Sequence, residues 1–249
     1  KKSASGKEAT TLSFFSMVEY EKWKQKNDAR QWTIKYYKGL GTNTSAEAKE
    51  YFSNLKKHVV QFQWKPEADA LIDMAFNKKF AAERRSWLLG YDPTAFVDTS
   101  KGTLDYANFI NKELIAFSHY DNLRSIPSVV DGLKPSQRKV LYSAFKRRLH
   151  SEIKVVQLAG YVSEQAGYHH GEQSLHGTIV NMAQDFVGAN NLPLLVPSGQ
   201  FGTRLQGGKD AASARYIFTF LSRFARLIFP EDDDQLLKYL DDDGYPIEP

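Results

Sequence analysis

The sequence predicts an α+β fold in two parts, and three observations predict it. A pattern of strand, glycine turn and capped helix runs through residues 32–55. Apolar residues recur every four positions along the proline-started, basic stretch 131–149. Short apolar runs punctuated by glycines then follow over residues 191–221. Period 3.6 in the middle and strand-like runs on either side place helices and small sheets in one chain.

In chain order, "SFFSMVEYEKWKQK" begins as a short strand and becomes a helix, and "WTIKYYKGLG" is a strand entering a glycine turn. "TSAEAKEYFSNL" is a helix that Thr44 or Ser45 can cap, with Glu47 and Glu50 in its N-terminal half. "PEADALIDMAFNKKFAAERRSWLLG" is a second helical region, with Leu71, Ala75, Ala82 and Leu88 on an apolar face and Gly90 as its stop. The polar turns of "YDPTAFVDTSKGTLD" mark a domain boundary, and "YANFINKELIAFSHYDNL" is a connecting helix. In "DGLKPSQRKVLYSAFKRRL", Pro135 suits a first helical turn, and Leu141, Phe145 and Leu149 form a buried stripe. Lys134, Arg138, Lys139, Lys146 and Arg147 lie off that stripe, as on a DNA-docking helix or on an ordinary solvated one. Residues 174–190 form another helix, and "NLPLLVPSGQFGTRLQGGKDAASARYIFTFL" supplies strands, glycine turns and a return strand. Helices followed by a small antiparallel hairpin suggest a winged helix.

Composition narrows the function classes. Of 249 residues, 42% are hydrophobic and 25% charged, and none is cysteine, which excludes disulfides and thiolate metal sites. No apolar run reaches the length of a membrane helix, and the N-terminus lacks the apolar core of a signal peptide. Net charge is only +4, yet residues 121–160 hold eight Lys or Arg against three Asp or Glu. Such a local excess fits a polyanion site on one face. The two ends suggest a segment of a longer protein.

Three stretches carry residues suited to chemistry. "GGKDAASARYIFTF" sets Arg215 beside Tyr216 after a flexible, glycine-rich approach. A phenol, with an ordinary pKa of about 10, attacks phosphorus only with help in proton removal and in stabilising phosphate charge. A neighbouring guanidinium is a suitable stabiliser, being planar and always charged. Tyr216 is therefore either a strand aromatic or a nucleophile. "GYHHGEQSL" offers His169 and His170 as proton acceptors, while His169, His170, Glu172 and His176 match no zinc spacing. "NLRSIPSVVDGLKPSQRK" places Arg124 and Lys134 on either side of a proline-containing turn, as phosphate clamps or as solvated cations.

Together the chain resembles the eukaryotic DNA topoisomerase II family, of the type IIA class that includes gyrase. The matching stretches are "YYKGLGT", "RSIPSVVDGLKPSQRKVL", "YHHGEQSL", "QDFVGANNLPLLVPSGQFGTR", "GGKDAASARYIFT" and "LIFPEDDD". The resemblance implies that Tyr216 is the nucleophile forming a 5′-phosphotyrosyl link to DNA, with Arg215 and His170 as catalytic partners. It implies DNA or phosphate contacts from Arg124, Lys134, Arg138, Lys139, His169 and Gln173, and places Lys38 either near a metal-site region or in a structural role at the tight turn. Residues 1–100 then resemble the C-terminal part of the α/β TOPRIM domain and its extension. Residues 101–118 are a connecting helix, 119–230 a winged-helix domain with the tyrosine, and 231–249 the start of a tower domain.

The family's metal-binding carboxylates match nothing in this chain, nor does an ATP site. Mg²⁺ and ATP are therefore expected to bind outside it. Double-stranded DNA as substrate, a homodimer, a nuclear location and no membrane contact complete the expectations. One geometric conflict stands: in a regular strand Arg215 and Tyr216 would point to opposite faces.

Overall fold

The computed structural model describes residues 10–37, 43–99, 101–242 and 244–249. The chain divides into two compact units, residues 1–121 and 122–249.

The first unit is mainly short helices. Helix α1 (Met17–Lys26) is capped by Ser16, whose hydroxyl accepts from the Val18 and Glu19 N–H groups. Helix α2 (Ser45–Ser53) opens on a capping box: Thr44 Oγ1 accepts from the Glu47 N–H, and the Glu47 carboxylate accepts from the Thr44 N–H at 2.7 Å. Helix α3 (Leu55–His58) leads to strand β1 (Gln61–Gln63), which pairs in parallel with β2 (Thr103–Asp105). Parallel pairing needs a crossover. Helices α4 (Ala68–Phe76) and α5 (Ala81–Leu89) lie in that connection. The expected helical region over 66–90 breaks at Asn77, whose side chain accepts from the Lys79 N–H. Arg84 then caps the freed end of α4, donating to the carbonyls of Met74, Ala75 and Asn77.

The strand expected around "WTIKYY" is absent from 33–37. Lys35 and Tyr37 instead donate to the Glu47 carboxylate, so this segment is tied to α2 by side chains rather than to a sheet by its backbone. The glycine turn after it, with Lys38, lies outside the described residues. After β2 come α6 (Tyr106–Asn108), a π-helical stretch (Phe109–Leu114) and α7 (Ile115–Ser125), matching the expected connecting helix.

The second unit has a three-helix core. Helices α8 (Pro135–Lys146), α9 (Val155–Gln165) and α10 (Glu172–Ala183) bury Val140, Leu141, Ala144, Leu158, Val162, Leu175 and Ile179 together. Each fully buried Leu or Ile contributes about 1.5–3 kcal/mol by leaving water. Strands β3 (Ile153–Lys154), β4 (Leu195–Ser198) and β5 (Phe218–Leu221) form an antiparallel sheet in the order β3-β5-β4. Leu195, Ile217 and Leu221 close the core from the sheet side. Helices followed by this hairpin make the winged-helix arrangement.

Helix α10 stops at Ala183, short of the expected 190, because Gln184 leaves the helix and buries its amide in the hairpin loop. Asn190 satisfies the freed carbonyls of Asn181 and Gln184. Helix α9 has no counterpart in the sequence reading. Beyond the sheet, α11 (Ala225–Ile228) leads to a small hairpin of β6 (Asp241–Asp242) and β7 (Tyr245–Pro246).

Candidate active site

Tyr216 sits at the end of the long loop between β4 and β5, and that loop is built rather than loose. Gln184 donates to the carbonyls of Phe201 (2.8 Å) and Gly208 (3.2 Å). The Thr203 N–H and hydroxyl both donate to Asp210 at 2.8 Å, and the backbone donor holds the Asp210 carboxyl below its usual range. Ala212 donates to the Gln200 carbonyl. Gly208 has φ +78°, and a Cβ there would fall 2.3 Å from the Gln184 amide nitrogen. Gly208, in the run read from sequence as a flexible approach, is therefore a point of close packing.

The nucleophile candidate lies in a turn, before the strand starts. The Tyr216 N–H donates to the Ser213 carbonyl at 2.9 Å, and β5 begins only at Phe218. Ala214 and Ile217 are buried, and their carbonyls accept from the Val156 (3.2 Å) and Val155 (3.0 Å) N–H groups in the first turn of α9. Two otherwise orphaned helix donors are thus satisfied by the tyrosine turn. With 214 and 217 held inward, Arg215 and Tyr216 are both exposed, and Tyr216 keeps 69% of its surface in solvent. The Arg215 guanidinium lies 5.9 Å from the Tyr216 ring centre. Leaving strand geometry removes the opposite-face conflict.

The histidine pair follows the other end of α9. Tyr168 is buried, and its ring meets His170 edge-on at 5.5 Å. His169 Nε2 lies 3.5 Å from Asp242 Oδ2. Gly171 caps α10, which places Gln173 exposed in its first turn. The eleven residues of α9 span about 16 Å. One chain therefore sets its tyrosine turn and its histidine pair at opposite ends of one helix.

The basic residues divide into two sorts. Arg124, at the end of α7, and Lys134, just before α8, have no carboxylate partner among the described residues. The loop between them is fixed by the Ser128 N–H donating to the Leu133 carbonyl and the Gly132 N–H donating to the Ser128 carbonyl. Gln137 accepts from the Lys134 N–H at 2.8 Å and so orders the start of α8. Arg138 and Lys139, expected at DNA phosphates, each also hold a carboxylate within the chain. Arg138 grips Asp131 through two nitrogens at 2.8 and 2.9 Å. Lys139 pairs with Glu248 at 2.8 Å and also donates to the Ala166 carbonyl. A carboxylate bound to each cation is what charge counting along a helix cannot show.

No group of three or more His, Asp or Glu side chains is placed to hold a metal ion among the described residues. His176 Nε2 is 3.3 Å from Glu172, without hydrogen-bond geometry, and is otherwise unpartnered. No helix is long and apolar enough to cross a membrane among the described residues. Gln184, Asp131 and Glu248 have no role in the sequence reading, and Asp242, in an acidic run expected to be solvated, lies against His169. Only the seven-residue spacing of Asp131 and Arg138 left any signal.

The chain is similar to known proteins along its length. Residues 124–249 match the DNA gyrase/topoisomerase IV A-subunit family model, and residues 1–122 match the C-terminal associated domain of TOPRIM. The chain is 61% identical over 240 residues to the mitochondrial DNA topoisomerase 2 of Dictyostelium discoideum, covering 95% of this chain and 19% of that protein. It is 54% identical over 252 residues to human DNA topoisomerase 2-alpha, covering 96% of this chain and 16% of that one. The crystal structure of the Plasmodium falciparum topoisomerase II DNA-binding, cleavage and re-ligation domain superposes with a TM-score of 0.76 at 53% identity, over 98% of this chain and 34% of that one. The chain thus spans less than a fifth of the length of these full-length relatives. With a family model matched over residues 124–249, just over half of the chain, and relatives of this identity over 95–96% of it, the chain belongs to the type IIA DNA topoisomerases.

Proposed function

We propose that this chain is the DNA breakage-reunion segment of a longer, ATP-dependent type II topoisomerase, and that Tyr216 is its nucleophile. The observation that carries the reading is the exposed Tyr216 side chain, its ring centre 5.9 Å from the Arg215 guanidinium, on a turn that caps α9. The Tyr216 oxygen attacks a DNA phosphorus, the bond to the 3′ oxygen breaks, and the departing oxygen takes up a proton. The product is a 5′-phosphotyrosyl link and a free 3′-hydroxyl. One phosphodiester replaces another, so the reverse step reseals the strand without hydrolysis. Arg215 stabilises the phosphate oxygens as charge shifts. Arg124 and Lys134 hold the flanking backbone, with Gln173 at the start of α10, while Arg138 and Lys139 build the protein side of that surface.

His170 serves as the proton acceptor, and the length of α9 bears on which tyrosine it serves. With the two groups at opposite ends of the helix, we infer that a second copy completes each site, in a homodimer acting on duplex DNA. Mg²⁺ and ATP bind in parts of the longer protein outside this chain, and the protein works on nuclear DNA, although one relative is named mitochondrial.

The test is adduct mapping. The longer protein, with Mg²⁺, is incubated with end-labelled duplex DNA, stopped with detergent, digested and analysed by mass spectrometry beside Tyr216→Phe. A phosphotyrosyl peptide at Tyr216, lost in the variant, is expected. DNA binding without any adduct in either protein would leave a winged-helix DNA binder with no chemistry.

A further inference from the structure

The loop that carries His169 and His170 is held by three contacts from outside its own helices. Lys139 of α8 reaches across and donates to the carbonyl of Ala166, the residue that ends α9. Its charge is balanced by Glu248, whose side chain is only 5% exposed against 16% for Lys139. A lysine with so little water needs that partner. Glu248 is fixed in turn, because its carbonyl accepts from the Leu240 N–H and the Leu240 carbonyl accepts from the Ile247 N–H. Tyr142, one helical turn after Lys139, donates to the Pro246 carbonyl. The β6–β7 hairpin is thereby docked on α8.

The same hairpin touches the histidines directly. Asp242 lies 3.5 Å from His169 Nε2, and its carboxylate occupies the space that a Cβ on Gly167 would fill, 2.5 Å away. Gly167 has φ +55°, so the chain there turns with glycine geometry against the acid. Asp242 thus engages the first histidine, and the second follows it on a loop clamped from both sides.

We propose that Lys139, Glu248 and Asp242 are positioning residues for DNA cleavage, acting through the pose of the His169–His170 loop rather than by contact with DNA. It rests on the reading of His170 as part of the cleaving site. The acidic segment after the winged helix then has a use: it couples the next stretch of chain to the histidine loop.

The test uses the full-length protein, Mg²⁺ and end-labelled duplex DNA, with the rate of covalent adduct formation followed in a single turnover. Glu248→Gln should slow adduct formation by about tenfold, as expected for a displacement well under 1 Å at a reacting group. DNA affinity should stay within about twofold, since no phosphate contact is removed. His170→Ala should also slow the step, and Glu248→Gln placed on top of it should add nothing. Should Glu248→Gln fail to fold by circular dichroism, Asp242→Asn, whose side chain is 44% exposed, carries the same comparison. An effect of Glu248→Gln that persists undiminished in the His170→Ala background, or no effect at all, overturns the positioning role. A full rate in His170→Ala overturns instead the reading of His170 on which the role depends.

Discussion

Gln184 is the residue whose loss should best reveal how the tyrosine is presented. Its amide is buried and donates to two carbonyls of the β4–β5 loop, Phe201 at 2.8 Å and Gly208 at 3.2 Å. Gln184→Ala removes both bonds, each worth about 0.5–1.5 kcal/mol, and leaves an acceptor on buried Phe201 unpaired at a further cost of about 1–3 kcal/mol. Some of that acceptor cost is relieved by water entering the loop, so a net loss of about 2–4 kcal/mol is expected. Urea unfolding followed by circular dichroism measures it as a lower midpoint with an unchanged slope. Gly208→Ala should cost a similar amount, because its Cβ would stand 2.3 Å from the same amide at φ +78°. The two changes disrupt one contact, so the double variant should lose less than the sum. Adduct formation in the longer protein should fall at least about tenfold in each single variant, with DNA affinity nearly intact. A loss below about 1 kcal/mol together with a full adduct rate would refute the claim that this loop is rigid because Gln184 holds it.

Arg215→Lys should reduce adduct formation by about 10²–10³-fold while leaving DNA binding intact, measured in the same single-turnover assay; a change in binding alone would make Arg215 a docking residue. Arg124→Ala and Lys134→Ala should each lower the slope of log affinity against log salt by about 1, whereas Arg138→Ala should reduce stability in urea more than it changes that slope. The Lys35 ammonium, then the Thr44 N–H and Tyr37 hydroxyl, hold the Glu47 carboxyl down at about 2 from an ordinary 4.5. A depressed carboxyl stabilises the fold fully above its unfolded pKa and loses that contribution as pH falls through its folded one. The start of α2 should therefore loosen between about pH 4.5 and pH 2, seen as rising amide exchange, and a flat profile would count against the Lys35–Glu47–Thr44 cluster.

Legibility in the sequence followed the range of the interactions. Local rules found the Thr44 cap, Pro135 at the first turn of α8 and buried Leu141, because each depends on residues within a turn or two; of the rest of the expected stripe, Phe145 is only half-buried and Leu149 is buried beyond the helix end. Long-range pairing was hidden. The parallel partner of β1 lies across two helices, so the sequence offered "WTIKYY" as a strand when side chains had already tied it to Glu47. Helix α9 escaped because "VVQLAGYVSEQ" opens on β-branched residues, carries Gly160 in its middle and has no side-chain cap at its start. Its cap is the backbone of residues 214 and 217, far away in sequence. The types of the candidate site residues were readable through the family motifs. Their employment was not: nothing local told Lys139, engaged inside the protein, from Lys134, left without a carboxylate among the described residues.

On the proposed mechanism, the same cap lets Arg215 and Tyr216 be neighbours in the chain and still serve one phosphate. A strand would have split them across two faces. A turn with 214 and 217 facing inward leaves its two middle members facing out, and the carbonyls of those inward residues are consumed by the first N–H groups of α9. Moving the turn would expose two helix donors and two buried side chains together, so its position is over-determined by groups that take no part in chemistry. On the proposed mechanism this matters most after cleavage, when the broken DNA end hangs on Tyr216 alone. A turn held at both ends by backbone bonds keeps that end within reach of its 3′-hydroxyl, and resealing then costs little searching. Loosening the turn, as by Ala214→Gly, should accordingly slow resealing more than cleavage, and the ratio of adduct to intact DNA at equilibrium should rise. If that ratio instead falls, the rigid turn serves attack rather than return.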